Sequence, residues 1–327
     1  MSYISGGLLI GGHETQESEG GEADLHKHRA GCWKSFGHFN FQPIYRFHLP
    51  PSHFDANLYF LVKAVADLTV RVSVKIASQH RPKVWPNTIH AYPFSNQSET
   101  RTLRTGSGRV SSIQRFEVDS RLDGSNNKTE YTKCWCRKCQ DSESPSKVWW
   151  EFNVNTVSHL VFDDIEASHT TLRIFYDKDD SPVVSVYTVK VENVNVFDDF
   201  CQLKCVTCDK DLASTLGLML SRYECQKHNV YYQNKNSRDD KKLNFIVSHP
   251  HGCPKQVSFG QWKNKHMFGG KCIFTYTTAT CPGSSGAHVQ CVGYKSQLSW
   301  SDLVHSRCLG FGFNSLNCSG AAIVDLF

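Results

Sequence analysis

Residues Thr280–Ala287 read TCPGSSGA, and this glycine- and serine-rich stretch decides the fold that we expect. Its composition suits a nucleophile loop, because a serine hydroxyl is a weak nucleophile that needs a tight turn, a histidine base and backbone N–H groups directed at the developing oxyanion. Gly283 lets its own N–H point inward, and Gly286 permits a close turn just after the nucleophile. We therefore predict Ser285 as the nucleophile and the N–H groups of Gly283 and Ser285 as the oxyanion hole. A Gly/Ser-rich loop between two strands would look much the same, so other segments have to agree.

Two upstream segments supply the partners that such a serine needs. Asn155–Phe162 carries His159 near the end of an apolar run, and Thr207–Ala213 carries Asp211. The segments resemble the Thr-Ala-Ala-His and Asp-Ile-Ala-Leu segments of chymotrypsin-like serine peptidases, and the order His, Asp, Ser is the chymotrypsin order. The resemblance implies that His159 is the general base, that Asp211 orients it, and that Ser285 forms an acyl-enzyme.

Each of these two partners also has a simpler interpretation. The chain has 16 histidines, so His159 could be an ordinary strand histidine. Asp211 could be only a helix N-cap, because apolar residues follow it at helical spacing. Asp209 is a second candidate for the acid. The sequence alone leaves the choice between the two carboxylates open.

A fourth segment, Lys242–Gly252, is an apolar run that ends in a Pro/Gly turn, which is typical of a buried strand leading into a loop. It is similar to the turn at the start of the second barrel in glutamyl endopeptidases and high-temperature-requirement proteases, although His249 stands where a small residue is usual. The chain also resembles trypsin-like peptidase domains encoded in invertebrate genomes, roughly from residue 65 to 325. The resemblance implies a mainly β fold with two six-stranded antiparallel β-barrels of the chymotrypsin type.

The expected organisation places a short extension before the two barrels. Residues 1–60 are rich in Gly and His and weakly patterned, so we predict a poorly structured N-terminal extension. Apolar residues at helical spacing predict a helix inserted between the barrels. The protease domain is expected over residues 61–327, with the first barrel at about 61–210, the interbarrel helix at about 211–234 and the second barrel at about 240–327.

The same resemblance suggests what the substrate pocket holds. Ala279 stands where trypsin has an acidic residue, so no carboxylate awaits Arg or Lys. Thr280, His305 and Ser306 match positions where glutamyl endopeptidases and picornaviral proteases hold a Glu or Gln side chain, and a His with a hydroxyl can supply the donors that a buried carboxylate or amide needs. The resemblance therefore implies cleavage after Glu or Gln. The alternative is that His305 is a strand histidine whose hydrogen bonds are satisfied within the fold.

The cysteine pattern bears on compartment and metal binding. Secreted trypsin-like enzymes usually carry a cysteine just after the His segment, and this chain has none there, which favours a reducing compartment for its 14 cysteines. Cys134, Cys136 and Cys139 lie within six residues. With a fourth ligand from elsewhere they could hold a structural zinc, and free thiols are the alternative.

Composition narrows the classes of partner. A net charge of +5 without a dense Lys/Arg run does not indicate nucleic-acid binding. No stretch predicts a secretory signal or a membrane span, so we expect an intracellular, cytoplasmic protein. The expected function is a serine endopeptidase that acts on protein or peptide substrates and requires no cofactor, with the oligomeric state left open. The alternative is a catalytically inactive protease fold that serves as a binding module stabilised by zinc.

Overall fold

The computed structural model describes residues 4–5, 8–9, 11–18, 25–45, 49–50, 55–97, 102–118, 129–295, 302–310 and 315–325. Two large antiparallel sheets and one short hairpin contain its strands. In chain order the strands are β1 Ile4–Ser5, β2 Leu8–Leu9, β3 Gly12–His13, β4 Gln16–Ser18, β5 Thr69–Val74, β6 Leu103–Glu117, β7 Val148–Thr156, β8 Thr170–Ile174, β9 Val184–Val186, β10 Val189–Asn195, β11 Phe200–Thr207, β12 Leu243–Ser248, β13 Gln256–Phe268, β14 Lys271–Tyr276, β15 Val289–Cys291, β16 His305–Cys308 and β17 Asn317–Ser319. The helices are α1 Leu25–Ala30, α2 Ala56–Leu68, α3 Arg137–Gln140, α4 Asp164–Ser168, α5 Lys210–Asn234 and α6 Arg238–Lys241, and 3-10 turns cover Ser35–Asn40 and Pro250–Gly252.

The first sheet has the strand order β10-β11-β7-β6-β5-β8-β9, and β4 also pairs with β6. β-branched residues alternate along β5, where Val70, Val72 and Val74 are completely buried in the core. Strand β7 pairs antiparallel with β11, and Thr156 at the end of β7 lies opposite Cys201 near the start of β11. The turn that follows β7 therefore lies beside the turn that precedes β11.

The second sheet has the order β15-β12-β13-β14-β17-β16-β3. Residues Thr280–Ala287 form the loop between β14 and β15, and the loop is held by hydrogen bonds of the Gly286 N–H to His305 O and the His305 N–H to Ala287 O. Strand β3 closes this order from the N-terminal segment, where His13 pairs with Arg307. The loop Thr280–Ala287, named the nucleophile loop below for its predicted role, and strand β3 thus both lie against β16.

Helix α5 lies between the two sheets in the sequence and begins at the N-cap residue Asp209. The Asp209 side chain accepts hydrogen bonds from the N–H groups of Asp211 and Leu212, at 2.9 and 3.0 Å. Leu212, Leu216 and Tyr223 are buried on its inner face, as the helical spacing of the sequence predicts.

The predicted fold class is confirmed: the chain is mainly β, with two antiparallel sheets and a helix between them in the sequence. The sheets have eight and seven strands rather than six each. The N-terminal segment adds β4 to the first sheet, which has seven further strands, and β3 to the second, which has six. Within residues 1–60, β3 and β4 are thus paired into the two sheets, unlike the poorly structured extension that we expected. These two strands are two and three residues long and pair with partners far away in the chain, so they leave no periodic pattern in the sequence.

Within the described ranges, no helix combines the length and apolar character that crossing a bilayer requires.

Candidate active site

His159 follows β7 and contacts one polar side chain with each ring nitrogen. Its Nε2 atom lies 2.9 Å from the Ser285 Oγ atom. Its Nδ1 atom lies 2.8 Å from the Asp199 Oδ2 atom. All three side chains are buried. Such an arrangement can pass the Ser285 proton to His159 while Asp199 keeps the other nitrogen protonated and stabilises the resulting imidazolium.

The Asp199 carboxylate accepts four hydrogen bonds. Two come from the backbone N–H of His159 at 3.1 Å and the Ser158 hydroxyl at 2.9 Å. The other two come from the His159 ring and the Ser306 hydroxyl. Burial alone would raise its pKa, but His159, the Arg307 guanidinium and the hydroxyl contact outweigh burial and hold the pKa below its usual range. Asp199 therefore stays ionised beside His159. Burial in turn lowers the pKa of His159, which favours the neutral imidazole that a general base requires.

The sequence assignment of the acid has to be corrected, because neither Asp211 nor Asp209 contacts His159. Asp211 is exposed in the first turn of α5, and Asp209 is the N-cap of that helix. Asp199 lies instead in the turn directly before β11, which runs beside β7. A signal was present in the sequence: Asp199 precedes Phe200, Cys201 and Leu203, which are apolar residues of a buried strand, whereas Asp211 precedes apolar residues at helical spacing.

The nucleophile loop has a backbone that only glycine fits at two positions. Gly283 has a φ of +100°, and a Cβ atom there would lie 2.4 Å from the His249 carbonyl oxygen. Gly286 has a φ of +85°, and a Cβ atom would lie 2.1 Å from Thr156 Oγ1. Both glycines therefore permit the loop to pack against the strands that carry the rest of the site.

Ser107 of β6 ties the nucleophile loop to the first sheet. Its N–H donates to the Ser285 carbonyl at 2.8 Å, and its hydroxyl donates to the Gly283 carbonyl at 2.9 Å. The Thr156 hydroxyl donates to the Ser107 carbonyl at 2.8 Å. The position of Ser285 relative to His159 is thus set by hydrogen bonds between the two sheets.

The N–H groups predicted to form the oxyanion hole contact a carbonyl from the chain's own N-terminal segment. The Glu14 carbonyl oxygen accepts from the Gly283 N–H at 2.7 Å and from the Ser285 N–H at 3.3 Å. The Glu14 N atom lies 3.1 Å from Ser285 Oγ. The Glu14 carbonyl therefore lies at the two N–H groups predicted for the oxyanion hole, beside the Ser285 hydroxyl.

The Glu14 side chain fills a buried pocket that carries two basic groups. Its carboxylate lies 2.6 Å from His305 Nε2 and 2.5 Å from Lys34 Nζ. The Tyr276 hydroxyl lies 2.7 Å from His305 Nδ1, so it can donate there and leave the Nε2–H to donate to Glu14. Burial alone would raise the pKa of Glu14, but Lys34 and His305 outweigh burial and lower the pKa to about 2.

The three predicted substrate-binding residues have different surroundings. His305 contacts the Glu14 carboxylate, as the Glu/Gln interpretation requires. Thr280 contributes indirectly, because its Oγ1 lies 3.3 Å from Lys34 Nζ. The Ser306 hydroxyl donates to Asp199 rather than to the pocket. Lys34 was missed by sequence reasoning, because it lies 246 residues away from Thr280 and no local motif marks it.

The chain is held on both sides of Glu14. Upstream, Gly12 and His13 pair with Cys308 and Arg307 of β16. Downstream, Gln16–Ser18 of β4 pairs with β6. Because of this coverage, His159 and Ser285 are both 0% exposed to solvent.

A buried ion pair lies on the other side of the His159 turn. Arg81 Nε and Nη2 each lie 2.6 Å from the Glu166 carboxylate. The remaining guanidinium nitrogen of Arg81 donates to the His159 carbonyl at 3.0 Å. This pair therefore stabilises the turn at His159, after which secreted trypsin-like enzymes usually have a cysteine.

The structure brings two groups of cysteines and histidines together. Cys134, Cys136 and Cys139 meet Cys208, and all four sulfur atoms lie within 4.8 Å of one another. Cys208 is the fourth residue that the sequence could not specify. A second group contains Cys32, His38, His251 and Cys281, within the same limit. All 14 cysteines lie in the described residues, and none of them forms a disulfide.

No protein-family model and no curated protein matches this chain. Among solved structures it is similar to the HtrA-type protease AlgW with a tripeptide, at 10% identity and a TM-score of 0.39, over 81% of this chain and 60% of that one. It is also similar to the active form of the Rv3671c protease from M. tuberculosis, at 10% identity and a TM-score of 0.36, over 80% of this chain and 79% of that one. The chain thus spans 60% of the length of the AlgW structure. Because these similarities are low, the function has to be inferred from the side chains of the site.

Proposed function

We propose that the chain is a serine endopeptidase of the chymotrypsin-like group (PA clan, peptidase S1) that cleaves after glutamate. The observation that carries the proposal is the hydrogen-bonded series of Asp199, His159 and Ser285, with contacts of 2.8 and 2.9 Å. A serine becomes nucleophilic when a neutral histidine accepts its proton and a carboxylate orients that histidine. The two N–H groups that contact the Glu14 carbonyl support the same reaction, since they are positioned to stabilise an oxyanion.

The proposed mechanism is acyl transfer to water. Ser285 Oγ attacks the scissile carbonyl carbon while His159 Nε2 takes its proton, and His159 then gives that proton to the leaving amine. Water repeats the sequence on the acyl-enzyme and releases the carboxylate product. The N–H groups of Gly283 and Ser285 hold the negative oxygen in both steps.

A preference for Glu over Gln follows from the pocket. Lys34 and His305 offer a full positive charge and an N–H donor to the Glu14 carboxylate. A Gln side chain would leave the buried ammonium of Lys34 without a counter-ion, which is costly at a site that excludes water. We therefore expect peptide substrates with Glu before the scissile bond to be preferred to those with Gln, and Lys or Arg to be rejected.

The test is labelling with a fluorophosphonate probe, read out as the intact mass of the full chain. Wild type should form one adduct that Ser285→Ala lacks, and Ser285→Ala or His159→Ala should lower turnover of a Glu peptide on the order of a million-fold. Asp199→Asn should lower kcat by about 10⁴-fold, because it alters the tautomer of His159. Asp211→Asn is the matched control and should leave kcat unchanged. A folded wild type that forms no adduct and cleaves no peptide would instead favour a binding module.

We further propose that Cys134, Cys136, Cys139 and Cys208 hold a structural zinc, since four sulfur ligands are a common structural zinc site. The Cys136 and Cys208 sulfur atoms lie 3.6 Å apart, close to the separation of about 3.8 Å that tetrahedral Zn–S bonds of about 2.3 Å imply. The Ser146 N–H donates to the Cys139 sulfur, a contact that suits a thiolate. The absence of disulfides among the 14 cysteines also supports a reducing, intracellular compartment. Metal analysis of wild type and Cys136→Ser tests the zinc.

A further inference from the structure

We infer that the chain cleaves itself between Glu14 and Thr15, an inference that rests on the proposed endopeptidase function. Peptide substrates of such enzymes bind as an extended strand with one side chain in the specificity pocket and its carbonyl at the oxyanion hole. Glu14 meets both conditions, through His305 and Lys34 for its side chain and through the N–H groups of Gly283 and Ser285 for its carbonyl.

The strand contacts on either side of Glu14 fix which bond is cleaved. The antiparallel pairing of His13 with Arg307 holds the chain before the bond. The pairing of Gln16 with Thr105 holds the chain after it. The Glu14–Thr15 peptide bond therefore lies at Ser285 and is anchored on both sides, the condition under which an intramolecular reaction gains most from proximity.

The reaction follows the proposed mechanism and needs no added reactant except water. The Ser285 oxygen bonds to the Glu14 carbonyl carbon and its proton passes to His159. The bond from that carbon to the Thr15 nitrogen breaks as His159 protonates the nitrogen, which becomes the new amino terminus. Water then releases Glu14 as a carboxylate. Because His159 and Ser285 are fully covered by this segment, cleavage is also the step that would open the site to other substrates.

The experiment follows intact mass and N-terminal sequence of the purified full chain over time. Wild type should convert to a species that begins at Thr15, at a first-order rate that does not change over a 100-fold range of protein concentration. Ser285→Ala should stay intact. Glu14→Ala should slow conversion by at least about 100-fold, because it leaves Lys34 buried without its counter-ion. Glu117→Ala, which removes an exposed carboxylate outside the pocket, is the matched control and should convert at nearly the wild-type rate.

Two results would overturn self-cleavage in different ways. A wild type that forms the fluorophosphonate adduct and cleaves Glu peptides while its Glu14–Thr15 bond stays intact overturns self-cleavage and leaves the endopeptidase function standing. A chain that begins at Thr15, and so lacks the covering residues, overturns both if it folds but forms no adduct and cleaves no peptide. Conversion whose rate rises in proportion to concentration overturns the intramolecular geometry.

A different observation assigns a second metal site, which we propose binds Zn²⁺ through Cys32, His38, His251 and Cys281. The sulfur atoms of Cys32 and Cys281 lie 3.9 Å apart, and the Nε2 atoms of His38 and His251 lie 3.3 Å apart. Tetrahedral zinc with Zn–S bonds of about 2.3 Å and Zn–N bonds of about 2.0–2.1 Å separates two sulfur ligands by about 3.8 Å and two nitrogen ligands by about 3.3 Å. Both separations match.

The contacts around these four residues suit metal ligands. The Gln16 Oε1 atom lies 2.8 Å from His251 Nδ1, so it can accept the ring N–H and leave the Nε2 lone pair free to bind metal. The Lys34 N–H donates to the Cys32 sulfur at 3.3 Å, which suits a thiolate. Three of the four candidate ligands are buried.

This second site connects the N-terminal segment to the active site. Cys32 and His38 lie in that segment, whereas Cys281 belongs to the nucleophile loop. The backbone N–H of His251 donates to the Pro282 carbonyl in the same loop. A zinc ion there would fix Lys34, two residues after Cys32, in the substrate pocket. It would also hold Cys32 and His38 against the nucleophile loop after cleavage at Glu14, because all four ligands lie on the C-terminal side of that bond.

The test is zinc per chain in protein purified under reducing conditions, together with the visible absorption of the cobalt-substituted protein. Cys32→Ser and His38→Ala should each lose one zinc and the absorption of a tetrahedral cobalt site with two sulfur ligands. His38 is only half-buried, so its variant tests the site where Cys32→Ser fails to fold. Cys225→Ser, at an exposed cysteine, should keep the wild-type zinc content. Zinc content unchanged by both ligand variants, or a disulfide between Cys32 and Cys281 in anaerobically purified wild type, overturns the site.

Discussion

Two buried clusters of charged side chains flank His159, and they differ in whether a substrate side chain could replace their carboxylate. Behind the His159 turn, Glu166 of α4 is held by Arg81 at 2.6 Å, and both residues lie in connections between strands of the first sheet. In front of it, Glu14 is held by Lys34 at 2.5 Å and by His305 at 2.6 Å. The chemistry is the same, but Glu166 is a permanent part of the fold, whereas Glu14 occupies a pocket that a substrate side chain could fill. We therefore expect the rear pair, Arg81 and Glu166, to govern the stability of the fold. We expect the front cluster, which consists of Glu14, Lys34 and His305, to govern substrate specificity.

The largest effect should come from breaking the rear pair. Glu166→Gln leaves the buried guanidinium groups of Arg81 and Arg104 without their anion, and it should lower the free energy of unfolding by about 3–5 kcal/mol. Urea unfolding of the Ser285→Ala chain, which stays uncut, measures the effect. Glu117→Gln breaks an exposed Arg–Glu pair and should cost no more than about 1 kcal/mol. Equal losses in the two variants would contradict a structural role for the rear pair.

Removing a pocket residue of the front cluster should change substrate specificity instead. Lys34→Met removes the ammonium but no atom of the Asp199, His159 and Ser285 series. We expect kcat/KM for a Glu peptide to fall by about 2–5 kcal/mol, roughly 30- to 5,000-fold, because the substrate carboxylate is left without its cation. The rate of fluorophosphonate labelling, which needs no Glu side chain, should stay near wild type when both chains begin at Thr15 and the site is uncovered. A parallel fall in labelling would mean that Lys34 supports the fold of the site rather than recognition.

Acid should weaken the front cluster in a defined pH range. Burial opposes ionisation of Glu14, but Lys34 and His305 lower its pKa from 4.5 to about 2. Because the folded pKa lies below the unfolded one, ionised Glu14 stabilises the fold fully above pH 4.5, and this contribution disappears as the pH falls towards 2. Its upper limit is about 3 kcal/mol at 1.4 kcal/mol per pKa unit.

The pH effect can be isolated in the Ser285→Ala background by comparing unfolding free energies with and without Glu14→Gln. The two chains should differ by a constant amount between pH 5 and 8 and converge below pH 4.5. A difference that stays constant down to pH 2 would mean that the Glu14 carboxylate adds nothing to the fold. It would also mean that the front cluster acts on recognition alone.

A site residue could be predicted from the sequence when the pattern that marks it lies within a short stretch of the chain. Ser285 and His159 lie in short stretches whose residue types follow from the chemistry, so the sequence was sufficient to propose them. The acid was assigned to Asp211 because its segment resembles the Asp-Ile-Ala-Leu segment, whereas only the pairing of β7 with β11 selects Asp199. A contact between adjacent strands is set by register, which no single sequence pattern specifies.

The front cluster was the least predictable part. His305 could be proposed from the resemblance, but its partner Glu14 is 291 residues away. Both Glu14 and Lys34 come from a segment whose short strands form only against sheets built by the rest of the chain. The same reason applies to the fourth cysteine, Cys208, which follows β11 and meets Cys136 from a distance of 72 residues. Local patterns predicted the sheets and the helix, whereas side chains brought together by tertiary pairing required the structure.

The smallest effect should come from Thr280, the predicted pocket residue that contacts Lys34 rather than Glu14. Its hydroxyl lies 3.3 Å from Lys34 Nζ, so Thr280→Val removes one hydrogen bond to the ammonium and keeps the shape of the side chain. We expect a loss of about 0.5–1.5 kcal/mol in kcat/KM for a Glu peptide, roughly two- to twelve-fold. In the Lys34→Met background the same change should have no further effect, since the ammonium it positions is gone. If the two losses were instead additive, Thr280 would contact the substrate directly, and the front cluster would have three protein groups rather than two.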